Sequence, residues 1–296
     1  MSGPFGRTLC RRQQRRDRFI AMRMPTRSIE AGEVTRGPKL FAATTRTAAA
    51  LAALVFLGAG VRPAPAQESA RDIVDRVDRI LRGESSHGIA TMEVVTEHWS
   101  RTLTMEVWSL GTDYALVRIT APKKEAGTVT LKVGDDIWNY LPRVDRTIKI
   151  PASLMMGSWM GSHFTNDDLV KESRLIEDYD IEIGFEGRRG DTDVWEFVLT
   201  PKPQAAVVWG RIVYQVRKRD LMPTWARYYD EDGNLIRTLL FGEYREMGGR
   251  LVPSVMRMQP EDKPDEHTVV RYLELDFNID IDKSFFSLRT LRSGGR

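Results

Sequence analysis

The sequence predicts a mainly β protein in which one helix precedes an antiparallel meander of ten to twelve strands. Three observations predict it. Apolar residues alternate with polar ones from Ile89 onward, turn-forming residues interrupt these runs at short intervals, and one segment before them has helical spacing. The 296 residues, 42% hydrophobic and 29% charged, are enough for one large folded domain.

The first 66 residues are predicted to be an N-terminal extension with a cleavable signal peptide. Arg46 precedes an apolar stretch of 14 residues, Ala48 to Val61, and Ala64-Pro65-Ala66 has the small-x-small pattern of a cleavage site. The stretch is shorter than the roughly 20 residues that span a bilayer. We therefore predict a periplasmic protein, cleaved near Ala66, with residues 67–296 as a single domain.

Removal of this extension reverses the sign of the net charge. The whole chain has a formal net charge of +3, but residues 1–66 contain 12 Arg and Lys and only three acidic residues. The remainder has 32 basic and 38 acidic residues, a net charge of −6. Because phosphate binding needs a basic face, this composition argues against a nucleic-acid partner. The only cysteine, Cys10, lies in the extension, so the mature chain has no thiol nucleophile.

The helix is predicted over residues 70–81. Ser69 is the expected N-cap, Asp72 follows three residues later, and Gly83 ends the segment. The apolar positions recur at spacings of three and four: Ala70, Ile73, Val74, Val77, Ile80 and Leu81. One apolar stripe opposite charged residues predicts that the helix lies on an apolar surface.

The strands are predicted from period-two alternation, as in residues 103–107, 193–199, 238–243 and 269–277. Turn signals separate them, among them Gly134-Asp135-Asp136 and Asp232-Gly233-Asn234. Residues 151–174 break the pattern, because large apolar side chains stand close together among small residues. We predict that this segment is a long connection, irregular and then helical from Asn166, that crosses one face of the sheet.

No catalytic, metal or cofactor site is predicted. The four histidines have no metal-ligand spacing: His87, His98, His163 and His267. Residues 157–161 place a serine at the wrong position for a nucleophile elbow. Residues 230–234 lack the spacing and terminal Glu of a calcium loop and favour a hairpin turn. The expectation is a protein that is not an enzyme.

Two segments resemble a known family. The first is Gly134 to Pro142 (GDDIWNYLP), and the second is Trp159 to Leu169 (WMGSHFTNDDL), with its Met-Gly-Ser-x-Phe-x-x-x-Asp-Leu phrase. Both resemble the outer-membrane lipoprotein-sorting protein family, which is similar to the periplasmic lipoprotein carrier LolA. The likeness extends from about residue 70 to 286. It implies a strongly curved antiparallel half-barrel with a helical lid over its concave face, and a cavity that binds acyl chains without covalent chemistry.

The resemblance also implies partners, namely lipid or lipoprotein acyl chains, an inner-membrane transporter and an outer-membrane acceptor. Extra strands between about 200 and 260 distinguish this chain from the carrier and leave its cargo open. Strand parity and the lid segment give the candidate cavity residues: Met105, Val107, Leu116, Val129, Leu131, Trp138, Tyr140, Trp159, Met160, Phe164, Trp195, Phe197 and Phe241.

Two alternatives remain open from the sequence. Each candidate residue is also compatible with plain core packing, since a closed core would use the same side chains. A second function is also possible for such a fold, a periplasmic sensor or adaptor that binds an envelope stress regulator or a transporter instead of lipid.

Overall fold

The structure is a computed structural model, and it describes residues 68–171, 175–205 and 207–293. The predicted signal peptide and Cys10 lie outside these residues. The α-helices described are α1 (Ala70–Arg82), α2 (Asn166–Lys171), α3 (Leu175–Asp178) and α4 (Leu288–Ser293). The strands are β1 (Ser85–Val95), β2 (Ser100–Leu110), β3 (Tyr114–Ala121), β4 (Val129–Val133), β5 (Asp136–Leu141), β6 (Arg146–Lys149), β7 (Tyr179–Arg189), β8 (Thr192–Pro201), β9 (Arg211–Arg217), β10 (Pro223–Tyr229), β11 (Leu235–Met247), β12 (Arg250–Pro260) and β13 (His267–Phe277).

All thirteen strands belong to one antiparallel sheet in the order β6-β5-β4-β3-β2-β1-β13-β12-β11-β10-β9-β8-β7. The first and last strands therefore pair in the middle, where Met92 of β1 lies opposite Val270 of β13. The sheet does not close into a barrel, because β6 and β7 are not paired with each other. The mainly β, half-barrel class predicted from the sequence is confirmed.

The predicted number of strands, ten to twelve, was too low. Strand β6, for example, is only four residues long, and three of its residues are exposed. An edge strand with polar residues on both faces has no apolar alternation by which it could be recognised.

Helix α1 begins as predicted. The Ser69 side chain accepts a hydrogen bond from the Asp72 N–H, and Asp72 reaches back to the Ser69 N–H, which together form a capping box. Gly83, at φ 68°, donates its N–H to the Arg79 carbonyl and ends the helix. The stripe of Val74 and Val77 is buried against the sheet.

The two faces of the sheet are covered differently. On the helix face, defined as the face that contacts α1, paired residues such as Phe197, Tyr214 and Leu239 pack with Val77 of α1. On the C-terminal face, Leu116, Val129 and Leu131 pack with side chains that follow the last strand, Phe286 and Leu291. Over β3 the sheet is apolar on both faces, because Val117 and Ile119 pack in the cluster on the helix face.

The connection from β6 to β7 must cross the full width of the sheet, because these strands are its two edges. It lies over the helix face, where Trp159 packs with Met105 and Ile119, and Phe164 packs in the α1 cluster. Up to Thr165 the segment is irregular apart from two short 3-10 helices, Ala152–Leu154 and Trp159–Gly161, and it is α-helical from Asn166. The crossing connection predicted from the sequence is thus present over its described part, residues 151–171.

Candidate functional site

A cavity of about 340 Å³ lies between the helix face and helices α1, α2 and α3. Its volume is within the range of roughly 300–1,000 Å³ that is usual for small-molecule sites. Most of the side chains that line it are apolar or aromatic: Val74, Leu81, Val107, Leu169, Leu175, Ile176, Ile212, Tyr214, Ala226, Tyr228, Phe241, Val252, Met256, Tyr272 and Leu275. The wall combines both halves of the sheet with one side of α1.

Helix α1 supplies the cavity wall through a subset of its apolar stripe. Val77 is fully buried in the core, whereas Val74 and Leu81, three and four residues away, reach the cavity. Residues at these spacings lie on the same side of a helix. The same stripe thus anchors the helix to the sheet and lines the cavity.

Polar groups collect where α1 ends and β1 begins. Asp78 and Arg82 form an ion pair one helical turn apart, and both line the cavity. Burial raises the pKa of the Asp78 carboxyl, against the opposing effect of Arg82. Lys132, on β4, also lines the cavity, is 3% exposed and donates to the Thr112 carbonyl oxygen over 2.6 Å.

Eight of the candidate residues lie on the helix face or in the segment over it: Met105, Val107, Trp159, Met160, Phe164, Trp195, Phe197 and Phe241. Of these, Val107 and Phe241 line the cavity directly. The others pack in the clusters around it, and Phe197, for example, is fully buried. The structure therefore brings these eight residues together, but six of them pack around the cavity and do not line it.

The other five candidates lie on the opposite, C-terminal face: Leu116, Val129, Leu131, Trp138 and Tyr140. They do not line the cavity, because they point away from α1 and pack with the C-terminal segment. The register explains the division. Val107 pairs with Val117, whereas its neighbour Trp108 pairs with Leu116, so Val107 and Leu116 project to different faces.

A buried ion pair fixes the crossing segment to the sheet. Asp168, in the Asp-Leu end of the family-like phrase, receives two hydrogen bonds from the Arg237 guanidinium, one of them 2.8 Å from Nη1 to Oδ2. Both side chains are less than a tenth exposed. The guanidinium also lies over the rings of Trp209 and Tyr228, at 4.3 and 4.6 Å from the centroids.

Two further residues, His163 and Trp159, hold the same segment. The His163 N–H donates to the Thr268 hydroxyl over 3.0 Å, and His163 Nε2 lies 3.1 Å from Glu266 Oε2. The His163–Glu266 contact is the main reason that the pKa of Glu266 lies below its usual range. The Trp159 indole Nε1 donates to Thr130 Oγ1 over 3.1 Å. The segment is therefore tied to strands at both sides of β1.

Several cavity residues were not predicted. Tyr272 lies on a strand whose alternation was visible, and Val74 and Leu81 belong to the predicted helical stripe, whereas Met256 lies on β12. The stripe was the signal for Val74 and Leu81, because residues three and four positions apart lie on one side of a helix.

The described residues contain neither a metal-binding cluster nor a membrane-spanning helix. In residues 68–171, 175–205 and 207–293, no group of three or more His, Cys, Asp or Glu side chains is arranged to hold a metal ion. Within the same ranges, no helix is long and apolar enough to cross a membrane.

Comparison with known proteins agrees with this architecture. The sequence model of a family described as uncharacterized proteins matches residues 111–293. No curated protein matches the chain. Among solved structures, a DUF1329 family protein from Desulfovibrio piger is similar with a TM-score of 0.69 and 23% identity, over 75% of this chain and 97% of that one.

The names of two other similar structures agree with the family resemblance found in the sequence. An outer-membrane lipoprotein-sorting protein domain from Vibrio parahaemolyticus has a TM-score of 0.67 at 23% identity, over 75% of this chain and 98% of that one. A LolA-superfamily protein from Nitrosomonas europaea has a TM-score of 0.65 at 21% identity, over 75% and 99%. The resemblance predicted from residues 70–286 is thus confirmed as a likeness of fold.

Proposed function

Because this chain belongs to the family of uncharacterized proteins matched over residues 111–293 and has the LolA-superfamily fold, we propose that it is a periplasmic carrier of lipid-like cargo. The cargo is the acyl chain of a lipid or lipoprotein, bound without covalent chemistry in the cavity between α1 and the sheet. The observation that carries the proposal is the mostly apolar wall of that cavity. The predicted signal peptide supports the location.

The chemistry of the wall suits an acyl chain. Met256, Val107 and Leu275 present aliphatic or thioether surface, and Tyr214 and Phe241 present rings. Unbranched methionine adapts to irregular apolar guests. Each methylene moved from water into such a site contributes about 0.8 kcal/mol, so even part of one chain gives measurable affinity.

Burial of the acyl chain also determines how fast the cargo dissociates. A cargo that binds through many methylenes leaves slowly, since differences in affinity reside mainly in the dissociation rate. A carrier of this kind needs a donor that loads it and an acceptor that unloads it. We propose an inner-membrane transporter and an outer-membrane acceptor for these roles.

The experiment is direct. Protein produced from the full chain is extracted with organic solvent for mass spectrometry, and the stripped protein is titrated with a fluorescent fatty acid. We expect extracted lipid and saturable binding. Val107→Phe, which fills the cavity, is expected to weaken probe binding by about tenfold or more, equivalent to ~1.4 kcal/mol.

The control is the same substitution at an exposed site. Val144, in the β5–β6 turn, is 60% exposed, and Val144→Phe should bind the probe like the unchanged protein. Absence of both extracted lipid and probe binding would overturn the carrier proposal. Stable co-purification with a membrane protein, without exchangeable lipid, would also overturn it and support the adaptor alternative.

A further inference from the structure

The polar end of the cavity is built as a row across four strands. In the register of β1–β4, Ser86 pairs with Ser109, Ser109 with Ala115, and Ala115 with Lys132. Paired residues project to the same face, so all four lie on the helix face. All four also line the cavity. A transverse polar row thus borders an otherwise apolar wall.

The two serines offer a hydrogen-bond donor to the cavity. Their Oγ atoms are 2.6 Å apart, so one hydroxyl donates to the other. A hydroxyl has one hydrogen and can accept as well as donate. The accepting hydroxyl therefore keeps its own hydrogen for a group placed in the cavity.

The same end carries positive charge. Lys132 points along the row toward the β2–β3 turn, where Nζ contacts the Thr112 carbonyl. The small side chain of Ala115 separates Lys132 from Ser109 and leaves space above the sheet. Arg82 faces this region from α1, and its charge is offset by Asp78 beside it. Lys132 and Arg82 thus bring two cationic side chains to this end, and Asp78 brings one carboxylate.

We propose that the row Ser86–Ser109–Lys132 binds the anionic headgroup of the lipid whose acyl chain occupies the apolar part of the cavity. This inference rests on the proposed carrier function and names its ligand class, an amphiphile with a phosphate headgroup and a single acyl chain in the cavity. Charged hydrogen bonds to a phosphate are stronger than neutral ones. The row therefore selects the headgroup, and the aliphatic wall supplies most of the affinity.

The test compares two lipids that differ only in the phosphate. Mono-oleoylglycerol phosphate and mono-oleoylglycerol, both below their aggregation concentrations, compete with the bound fluorescent fatty acid. We expect the phosphate form to bind about tenfold tighter or more, as one charge-assisted contact allows. Lys132→Met should remove most of this preference, and Lys132→Arg should retain it.

A matched control separates this site from general electrostatics. Lys124 is exposed in the β3–β4 connection, and Lys124→Met removes the same charge outside the cavity. It should leave the preference intact. Glycerol phosphate, which has no acyl chain, should not displace the probe, since the row alone is not a free-phosphate site. Displacement by glycerol phosphate would overturn the lipid assignment.

The failure of this inference is distinguishable from the failure of the carrier function. If both lipids bind equally in the unchanged protein, or if Lys132→Met keeps the preference, the headgroup site is overturned and the carrier proposal stands. If neither lipid displaces the probe, the carrier proposal fails together with it. A folding defect in Lys132→Met is detected by a lower midpoint of thermal unfolding. Loss of the preference in a folded Lys132→Arg variant would then overturn the headgroup site.

Discussion

The two faces of the sheet over strands β2–β4 end in different states. On the C-terminal face, Leu116 and Leu131 are covered by Phe286 and Leu291, all at most 4% exposed. On the helix face, the neighbouring wall at Val107 borders a cavity of about 340 Å³. The two faces differ in the element that covers them. The short helix α4, which follows β13, fills one face, whereas α1 covers only part of the other.

The cover of each face is also held in a different way. The C-terminal segment is held by ring and aliphatic contacts, for example Phe286 with Tyr114 at a centroid distance of 5.5 Å. The crossing segment over the helix face packs Trp159 and Phe164 against the sheet. It is held in addition by polar ties, Arg237 to Asp168 and His163 to Thr268 and Glu266. Directional polar ties fix a segment without filling the space beneath it, which suits a cover over a cavity.

Removing the strongest tie should have the largest effect. Arg237→Met leaves the Asp168 carboxylate buried without its guanidinium partner, and we expect a loss of about 3–5 kcal/mol in the free energy of unfolding. Denaturant titration measures it. The double variant Arg237→Met with Asp168→Leu should recover part of the loss, because no buried charge then remains. An equal loss in both variants would show that the pair is not the tie.

The packing contrast can be tested with one substitution made on each face. Leu291→Ala, at a fully buried site, should lower the free energy of unfolding by about 2–5 kcal/mol and leave probe affinity unchanged. Leu81→Ala, at a partly buried cavity site, should cost less stability and change probe affinity. Denaturation and fluorescence titration of both variants provide the comparison. The reverse pattern would place the binding site on the C-terminal face.

A smaller effect is expected from acid. Contact with His163 holds the pKa of Glu266 below its ordinary value of 4.5, so the folded chain binds this proton less tightly than the unfolded chain. The stabilisation is present above pH 4.5 and is lost as the pH falls through the lower pKa of the folded state. Glu266→Gln should flatten the dependence of unfolding free energy on pH in this window. An unchanged profile would exclude Glu266 as its source.

Much of the fold was predictable from local signals. The capping pair Ser69 and Asp72, the stripe of α1 and the Asp-Gly turn at residues 232–233 depend on neighbours in sequence. The same holds for the crossing segment, whose helix begins at Asn166 as predicted. Such signals need only residues within a few positions of one another.

The site was less predictable, because its position depends on contacts between distant residues. Leu116 and Val117 are neighbours, both are buried, and alternation cannot show which of them faces α1. Which of the two faces α1 depends on where Phe286 and Leu291 pack, and these residues lie far along the chain. Arg237 likewise has no local pattern that shows its pairing with Asp168.

The pairing of the first strand with the last determines when a binding site can exist at all. Strands β1–β6 and β7–β13 are two meanders of neighbouring hairpins, which join along the seam between β1 and β13. The cavity draws Val107 and Lys132 from one meander and Tyr214 and Met256 from the other. Pairing of strands remote in sequence is slow compared with hairpin formation. A chain that has not yet delivered β13 can thus form hairpins but lacks the joined wall of the cavity, so any binding there requires the finished molecule.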